Sequence, residues 1–396
     1  MMKIRCALCV DVGTSSLKAA CITQDGEVLS YHREFFEGET FSHPIIYKKA
    51  FLNATKKVLS SEGFFGKAEV AAISVSGNGP TIAAENFLLQ WDFPTDKDEI
   101  PATKSLFLPR LFYIKHRLPH VWKETDWFCS GPEFLIFMLS GQKVTLLPEK
   151  RFEAAYWTEE DLEKFGISPH KLPPFIGFGE VCGYLLPEIA EELGLSEIPI
   201  FCAGPDFTAA MIGTDTLWPG NACDRAGTSE GINLCTTQPG FAPGLRTLPS
   251  VVPDLWNISC VINDSGSRFS QFKNQSKYKD LSFQETIEDI LQHRQSQGFS
   301  LIESIALEVK AAIGKIEAVS GEKFKSMCVT GAQAHNRIWL EFKSDILELP
   351  LYVTGCTDAE LAGNAAVAFF GLKKFSSLRE AANHIVKIDY TVGKIT

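Results

Sequence analysis

Short apolar runs interrupted by glycine turns open the chain. Residues 6–10 and 17–22 are apolar, and Asp11-Val12-Gly13-Thr14-Ser15-Ser16 lies between them. The dipeptide Asp25-Gly26 follows the second run and is typical of the turn in a β-hairpin. The pattern predicts a three-stranded meander over residues 3–12, 17–23 and 27–34.

A helix and further strands are predicted in the rest of the first half. Apolar residues recur every seven positions from Ile45, and Gly63 follows the last of them, so residues 44–61 are predicted to form a helix. Residues 70–75 and 198–203 are predicted strands. The stretch between them, residues 91–197, is predicted to be rich in helix, and residues 208–212 are predicted to form a short helix.

The second half repeats this order. Asp224-Arg225-Ala226-Gly227-Thr228-Ser229 precedes a predicted strand at residues 231–236. Ser300 and Glu303 have the spacing of a capping box, which predicts that a long helix begins at Ser300 and ends before Gly321. The remaining predicted elements are a strand at 326–329, a helix with Trp339, Phe342 and Ile346 on its apolar face, a strand at 351–353 and an alanine-rich helix at 360–370.

Because hairpins and α/β crossovers occur twice, the sequence predicts an α/β protein with two related domains. The predicted domains are residues 1–221 and 222–396, with a cleft between them. A chain of 396 residues is also longer than one hydrophobic core usually organises.

The composition excludes several classes of protein. Hydrophobic residues make up 45% and charged residues 22% of the chain, which is the usage of a globular protein. The net charge of −10 disfavours a nucleic-acid partner, because such partners require a basic surface. No apolar run has the length needed to cross a bilayer. The first run is short and meets Asp11 at a glycine turn, so we expect a cytoplasmic protein without a signal peptide.

Two compositional features have ordinary explanations. The eleven cysteines lie mostly in apolar runs, which predicts reduced core side chains rather than a metal site or redox chemistry. Arg268, Lys273, Lys277 and Lys279 cluster in the polar stretch 263–298. A solvated face explains such a cluster more often than a ligand site does.

The two Gly-Thr-Ser triplets are the strongest functional signal. The P-loop spacing and the GxGxxG fingerprint are both absent from the chain. Each triplet lies between two predicted strands, where glycine lets backbone amides approach an anion and the hydroxyls add donors. The pair predicts a phosphate site built from two hairpins, one in each half of the chain.

These motifs, in this order, resemble those of the FGGY carbohydrate kinases, which have two actin-like (ribonuclease H-like) domains. The similarity is to the xylulokinase-like members and includes their phosphate, catalytic and adenosine motifs. The similar segments are residues 11–19, 106–141, 203–213, 225–233, 330–339, 344–350 and 360–368. The resemblance implies ATP and Mg²⁺ as cofactors. It places Gly13, Thr14, Ser15, Gly227, Thr228 and Ser229 on the phosphates, and Gly331, Ala332, Gln333 and Asn336 on the adenosine.

The resemblance also implies roles for three charged residues, and each has an alternative. Asp11 would hold Mg²⁺ through water, or it caps a turn. Lys18 would reach the γ-phosphate, or it is a strand residue that extends into solvent. Asp206 would be the general base for the acceptor hydroxyl, or it is a helix N-cap.

The sugar side is where the chain departs from the family. Asn78, Gly79, Asp206 and Phe207 would contact the substrate, although Asn78-Gly79 is equally explained as a structural turn. Trp91-Asp92 is similar to the family's Trp-x-Asp-x-Arg stretch but lacks the arginine, and the chain is shortened after Trp91 and after Phe272. Gly331-Ala332-Gln333 stands where the family has two or three glycines.

The expected function is the ATP-dependent phosphorylation of a sugar, with a ketopentose such as xylulose or a polyol as substrate. A regulatory or scaffold protein that binds nucleotide without sugar chemistry is one alternative, and a kinase of a non-sugar acceptor is another. We expect no nucleic-acid or membrane partner, and the sequence leaves open whether the protein is a homodimer.

Overall fold

The computed structural model describes residues 3–36, 43–94 and 100–393 of the chain. The chain forms two compact units. Unit 1 consists of Met1–Gly213 and Glu360–Ile385, and unit 2 consists of Thr214–Ala359 and Val386–Thr396. The chain therefore returns to unit 1 after most of unit 2 is complete. The domain boundary predicted at residues 221 and 222, and the predicted cleft, stay predictions.

Strands and helices are numbered in chain order within the described residues. The strands are β1 Ile4–Val12, β2 Ser16–Thr23, β3 Val28–Phe35, β4 Ala68–Gly77, β5 Ile82–Ala84, β6 Phe87–Leu89, β7 Cys129–Ser130, β8 Thr145–Leu146, β9 Phe175–Ile176, β10 Gly183–Tyr184, β11 Pro199–Pro205, β12 Asn221–Ala226, β13 Glu230–Thr236, β14 Leu245–Pro249, β15 Trp256–Ile262, β16 Ser326–Thr330, β17 Leu351–Thr354 and β18 Ile388–Val392. The helices are α1 Ile45–Leu59, α2 Leu108–Arg117, α3 Pro119–Glu124, α4 Gly131–Ser140, α5 Glu153–Tyr156, α6 Glu159–Phe165, α7 Pro187–Leu193, α8 Asp206–Gly213, α9 Ser265–Asn274, α10 Phe283–Gln292, α11 Gln297–Ser320, α12 Arg337–Leu347, α13 Ala359–Gly371 and α14 Leu378–Ile385.

The main sheet of unit 1 has the order β10-β11-β4-β1-β2-β3. The first three strands form the predicted antiparallel meander, and β4 and β11 then add in parallel through helical crossovers. From Cys6 onward every residue of β1 is buried. A continuous apolar run is what a central strand needs when both faces of its sheet are covered.

The main sheet of unit 2 has the order β14-β15-β13-β12-β16-β17-β18. Its antiparallel β12–β13 hairpin, with β16 and β17 added in parallel, repeats the connectivity of β1, β2, β4 and β11. The prediction of an α/β protein with two related halves is therefore confirmed. In both units the Gly-Thr-Ser triplet forms the turn of the central hairpin.

Helices cover the sheets through apolar faces. In α1 the buried side chains include Tyr47, Phe51 and Val58, which recur at helical spacing. All eleven cysteines are free thiols, and nine of them are buried, as predicted. Among the described residues no helix is long and apolar enough to cross a membrane.

The start of the long helix α11 differs from the prediction. Ser296, and not Ser300, is its N-cap, and the Ser296 side chain accepts a hydrogen bond from the Phe299 amide at 3.1 Å. The helix extends one turn further because Gly298 is buried in the core of unit 2 and belongs to the first turn. The predicted capping box at Ser300 is therefore wrong, and a capping box instead begins α10 at Ser282.

The polar stretch 263–298 is folded into α9, α10 and the start of α11. Its basic residues pair with acids at the surface: Arg268 contacts Glu308 at 2.7 Å and Lys277 contacts Asp289 at 2.9 Å. The interpretation of this cluster as a solvated face fits these contacts.

Candidate functional site

The turn between β1 and β2 carries the first Gly-Thr-Ser triplet. The Gly13 amide donates to the Ser16 carbonyl oxygen at 2.9 Å and closes the turn. Thr14 and Ser15 are exposed at its tip. The hydroxyls predicted to bind phosphate are therefore presented at the surface of unit 1.

Two side chains from outside this hairpin contact Thr14. Its Oγ1 accepts hydrogen bonds from Asn78 Nδ2 at 2.9 Å and from Trp91 Nε1 at 3.0 Å. Asn78 follows β4, is almost fully buried, and donates its backbone amide to the Val12 carbonyl at 2.8 Å. Gly79 continues the same turn. The roles predicted for Asn78 and Gly79 at the sugar stay predictions.

Asp11, Lys18 and Glu360 form a charged cluster behind this hairpin, called the first trio below. Asp11 and Lys18 face each other across β1 and β2. The Lys18 Nζ lies 3.6 Å from Asp11 Oδ2 and 3.8 Å from Glu360 Oε2. The three side chains keep small exposed fractions, 5% for Asp11, 17% for Lys18 and 13% for Glu360. Lys18 therefore lies against the two acids, and its predicted contact with the γ-phosphate stays a prediction.

The first trio has an unusual carboxyl. Burial raises the pKa of Asp11 to about 6, the Lys18 ammonium opposes that rise, and the charges of Glu360 and Asp206 add to it. A further cation nearby would stabilise the ionised form of such a buried carboxyl group. Asp11 is thus suited to bind a metal ion or to respond to one.

A buried hydrogen-bond chain fixes the position of Asp11. Ser76 Oγ donates to Asp11 Oδ1 at 2.9 Å, and Asn364 Nδ2 donates to Ser76 Oγ at 2.7 Å. Ser74 Oγ donates to Asn364 Oδ1 at 2.8 Å. The chain therefore connects α13, β4 and β1 beneath the hairpin. No local pattern in the sequence indicates this hydrogen-bond chain, although Ser76 lies two residues before Asn78.

Asp206 lies at the same edge of the sheet as Asp11. β11 ends at Pro205, which pairs with Gly77, and Gly77 pairs in turn with Val12 of β1. Asp206 is the first residue of α8, and its charge raises the pKa of Asp11. The fold thus brings together two acids that are far apart in the sequence. Phe207, the next residue, packs near Phe152 with the ring centroids 6.5 Å apart.

The turn between β12 and β13 carries the second Gly-Thr-Ser triplet. The Gly227 amide donates to the Ser229 carbonyl oxygen at 2.9 Å. The N-terminus of α9 packs on this turn, and the Ser267 amide donates to the Thr228 carbonyl at 3.1 Å. A Cβ on Gly266 would collide with the Gly227 carbonyl, so only glycine allows this approach.

Asp224, Glu230 and Lys343 form a second charged cluster, called the second trio below. The Lys343 Nζ lies 2.5 Å from Asp224 Oδ2 and 2.7 Å from Glu230 Oε2, and all three side chains have 0% exposure. Lys343 shares the buried face of α12 with Trp339 and Leu347. Phe342 and Ile346, which the sequence predicted on the apolar face, are half-buried and pack against the core of unit 2, and the prediction did not include Lys343.

The electrostatics of the second trio follow from complete burial. Burial raises the pKa of Asp224 to about 7, although Lys343 opposes the rise. Burial alone would also raise the pKa of Glu230, but the bonds to Lys343 and Gln333 lower it. Burial disfavours the ammonium of Lys343, yet the two carboxyls raise its pKa. The ion pair of Lys343 with Glu230 is therefore the charged core of the cluster.

Gln333 connects the second trio to the turn after β16. Its Nε2 donates to Glu230 Oε1 at 2.5 Å, and its Oε1 accepts from Trp339 Nε1 at 2.6 Å and from Lys343 Nζ at 3.1 Å. Gly331 begins this turn with φ +79°, where a side chain would press on the Ala226 carbonyl of β12. The segment Gly331-Ala332-Gln333 has one glycine where two or three were expected, and its glutamine belongs to a buried hydrogen-bond network.

Asn336 is the N-cap of α12. Its side chain accepts a hydrogen bond from the Trp339 amide at 3.0 Å at the start of α12. Its Nδ2 is buried and has no hydrogen-bond partner in the structure. The predicted adenosine contact of Asn336 stays a prediction.

A cavity of about 630 Å³ opens beside the second hairpin and lies within unit 2. Its polar wall comes from the hairpin, the turn after β16 and the start of α9, and its apolar wall from α9 to α12. The lining residues are Gly227, Thr228, Ser265, Gly266, Ser267, Ser270, Ala332 and Gln333 on the polar side, and Phe269, Phe283, Ile287, Ile302, Ile305 and Trp339 on the apolar side. A pocket with this volume and this division suits a ligand with an aromatic part and an anionic part.

Comparisons of the sequence with known proteins agree with these motifs. Residues 249–372 match the C-terminal domain of the FGGY family of carbohydrate kinases. The putative sugar kinase YoaC of Bacillus subtilis is 28% identical over 251 residues, which cover 54% of this chain and 51%, about half, of that relative. The xylulose kinase of Staphylococcus epidermidis is 21% identical over 456 aligned positions, which cover 96% of this chain and 90% of the relative.

Solved structures of kinases have a similar fold. The ligand-bound xylulose kinase from Lactobacillus acidophilus superposes with a TM-score of 0.83 at 15% identity, covering 98% of this chain and 94% of that one. The glycerol kinase of Plasmodium falciparum with ADP has a TM-score of 0.82 at 16% identity, covering 99% and 94%. At these identities the superpositions establish the fold. Residues 249–372 are thus similar to the C-terminal domain of the FGGY family of carbohydrate kinases, and the whole chain has a fold similar to that of these solved kinases.

Proposed function

We propose that the protein transfers the γ-phosphate of ATP to a hydroxyl of a sugar. The observation that carries this proposal is the placement of Asp206 beside the first trio, at the edge of the sheet that also presents Thr14 and Ser15. Phosphoryl transfer needs a base for the attacking hydroxyl and positive charge for the phosphate. Asp206 and Lys18 supply these two requirements within unit 1.

The general base in this reaction is Asp206. Its carboxylate accepts the proton of the sugar hydroxyl as that oxygen attacks the phosphorus, a contribution of typically about 10²–10⁴-fold. Asp206 is the first residue of α8, so its side chain lies at the helix N-terminus, which carries a partial positive charge.

Lys18 and the hairpin donors hold the phosphate. Lys18 contacts Asp11 and Glu360 at distances of 3.6 and 3.8 Å, which leaves it able to turn toward a phosphate oxygen. Thr14 and Ser15, exposed at the tip of the first hairpin, add hydroxyl donors in unit 1.

Asp11 is the residue that would hold Mg²⁺. Within residues 3–36, 43–94 and 100–393, no group of three His, Cys, Asp or Glu side chains could hold a metal ion alone. Mg²⁺ at phosphate sites commonly binds one or two carboxylates, with waters and phosphate oxygens completing its shell, so Asp11 fits. The ion supplies positive charge that offsets the charge developing on the transferred phosphate.

The adenosine of ATP would occupy the cavity of unit 2. The apolar wall with Phe269 and Trp339 suits the base, and the polar wall with Thr228 suits the phosphates. The glycerol kinase of similar fold was solved with ADP, which supports a nucleotide for this chain.

A ketopentose such as xylulose is the proposed acceptor. The support is the names of the relatives, since xylulose kinases of several bacteria align over 95–96% of this chain. Rhamnulokinase of Halalkalibacterium halodurans and autoinducer-2 kinase of Yersinia enterocolitica also align, so the panel of acceptors must be wider than pentoses.

The test is ADP release from MgATP in the presence of ketoses, aldoses and polyols. We expect one class of acceptor to stimulate release strongly, and Asp206→Asn to abolish the stimulation while ATP binding is kept. Asp280→Asn, at an exposed acid in unit 2, is the matched control and should behave as wild type. Full activity in Asp206→Asn would exclude Asp206 as the base.

One observation favours a second candidate function. The xylulose kinase alignment spans 456 positions, more than the 396 residues of this chain, so this chain lacks internal segments that the relative has. ATP binding without stimulation by any sugar would instead support a nucleotide-binding regulatory protein, or a kinase of a non-sugar acceptor.

A further inference from the structure

The hydroxyl of Thr14 accepts two hydrogen bonds from nitrogen donors. Asn78 Nδ2 lies 2.9 Å and Trp91 Nε1 lies 3.0 Å from Thr14 Oγ1. A threonine hydroxyl has one hydrogen and two acceptor positions. Because both acceptor positions are occupied, the hydrogen must point away from Asn78 and Trp91.

We propose that Asn78 and Trp91 are positioning residues that orient the Thr14 hydroxyl as a hydrogen-bond donor to a phosphate of ATP. Thr14 is exposed at the hairpin tip, so its hydrogen is directed toward the open side where a ligand arrives. A donor oriented in advance loses no rotational freedom when the phosphate binds. This inference rests on the proposed function, and it adds a segment outside the phosphate motif to the nucleotide site.

Trp91 is held rigidly enough to have this effect. Its backbone amide donates to Thr81 Oγ1 at 3.1 Å, and its carbonyl accepts from the Arg110 guanidinium. Arg110 also donates to the Leu106 carbonyl at 3.0 Å. The indole has a single N–H, which is used on Thr14, so Trp91 offers no polar donor of its own to a ligand.

Arg110 is an arginine from outside the Trp91-Asp92 stretch that contacts Trp91. The stretch at Trp91-Asp92 lacks the arginine expected from its resemblance, yet Arg110 of α2 contacts Trp91 from a distant position in the chain. Burial lowers the pKa of Arg110, and the Asp92 carboxylate opposes that change. Trp91, Asp92 and Arg110 therefore connect the sugar-side segment to the phosphate hairpin.

Asn78 is equally constrained. The residue is 8% exposed, and its backbone amide donates to the Val12 carbonyl at 2.8 Å, which fixes the backbone from which the side chain reaches Thr14. One N–H of this amide is thus used on the hairpin, in addition to any contact that Asn78 makes with a sugar.

The test is a double-mutant cycle on nucleotide affinity, with the non-hydrolysable analogue AMPPNP and magnesium as the probe. Thr14→Val removes the hydroxyl and should weaken binding by about 10- to 100-fold, as expected for a lost bond to a charged acceptor. Trp91→Phe keeps the ring and removes the N–H, and we expect a weakening of about three- to tenfold. In the Thr14→Val background, Trp91→Phe should have no further effect.

Two controls separate orientation from a general loss of structure. Thr14→Ser keeps the hydroxyl, so the effect of Trp91→Phe should persist in that background. Trp218→Phe changes a tryptophan of similar exposure, 40% against 45%, and should leave affinity unchanged. Thermal unfolding of each variant checks that the fold is kept.

Each outcome decides the inference. Equal weakening by Trp91→Phe with and without the Thr14 hydroxyl would show that Trp91 acts only through packing, and would overturn the proposal. An unchanged affinity in Thr14→Val would overturn it as well. If the wild-type chain binds no AMPPNP, the proposed function itself fails, which is a different result from binding that is insensitive to Trp91.

Discussion

The two units place the same three kinds of side chain behind their Gly-Thr-Ser hairpins, but they bury them differently. In the first trio the lysine is 17% exposed and lies 3.6 and 3.8 Å from its acids. In the second trio every member has 0% exposure, and the lysine lies 2.5 and 2.7 Å from its acids. One aspartate, one lysine and one glutamate are therefore loosely paired in unit 1 and tightly paired in unit 2.

This difference indicates different tasks for the two trios. Loosely paired charges can exchange partners, which the roles proposed for Asp11 at a cation and for Lys18 at a phosphate require. Charges sealed at short distances cannot exchange without exposing a buried ion, which is costly. The second trio is thus a permanent connection between the two strands of its hairpin and α12.

The largest effect is expected where the second trio is broken. Lys343→Met leaves two buried carboxyls without their cation, and we expect the free energy of unfolding to fall by about 3–5 kcal/mol. Denaturant unfolding measures this change. Lys310→Met is the matched control, because Lys310 pairs with an exposed Glu348 and should contribute less than about 1 kcal/mol.

A neutral version of the second trio sharpens this result. Asp224→Asn, Glu230→Gln and Lys343→Met together remove all three charges, and they should recover most of the stability that Lys343→Met alone loses. If Lys343→Met is no more harmful than Lys310→Met, the second trio does not brace unit 2.

The contrast between the trios also shows which parts of the fold and of the candidate site can be predicted from the sequence. Both hairpins and the positions of Asp11, Asp206 and Asn336 follow from local patterns, because a glycine turn between apolar strands and a polar residue at a strand end are short-range signals. The fold, repeated in both halves, follows from the same patterns together with the resemblance to a family.

The partners of those residues do not follow from local patterns. Lys343 lies in an ordinary helix of the sequence, and its acids are 119 and 113 residues away. Its spacing of four from Trp339 was a weak sign that it faces inward. Glu360 of the first trio is similar, since only the return of the chain to unit 1 brings it to Lys18.

Removing the lysine of the first trio should lower stability less than removing the lysine of the second trio does, but it should also lower activity. Lys18→Met should reduce phosphoryl transfer by about 10- to 100-fold, the loss expected for one charged contact to phosphate. The free energy of unfolding should fall by less than it does in Lys343→Met, since Lys18 is 17% exposed and lies 3.6 and 3.8 Å from its acids. Steady-state kinetics and denaturant unfolding on one preparation test both parts.

Lys18→Arg serves as the control for this variant, because it keeps the positive charge and should keep more of the activity than Lys18→Met. A Lys18→Met protein that loses as much stability as Lys343→Met would contradict the distinction between the trios.

The pH dependence of activity should reflect the first trio. The pKa of Asp11 is raised to about 6, so the carboxylate takes up a proton as the pH falls through that value and can no longer hold a cation. We expect transfer to fall about tenfold for each pH unit below this range. Raising the magnesium concentration should move this acid limb to lower pH, because the cation competes with the proton. A limb that does not move with magnesium would belong to another group.

The titration of the second trio should appear in the pH dependence of the free energy of unfolding. Burial raises the pKa of Asp224 from 3.8 to about 7, so its folded form holds a proton that the unfolded chain releases. This contribution to stability is complete below pH 4 and is lost as the pH rises to about 7. Asp224→Asn has no such proton. Relative to this variant, the free energy of unfolding of the wild-type protein should fall between pH 4 and 7, and the two pH curves should be parallel above pH 7. Parallel curves from pH 4 to 7 would mean that Asp224 is ionised in the folded protein, and that the second trio carries a net negative charge inside unit 2.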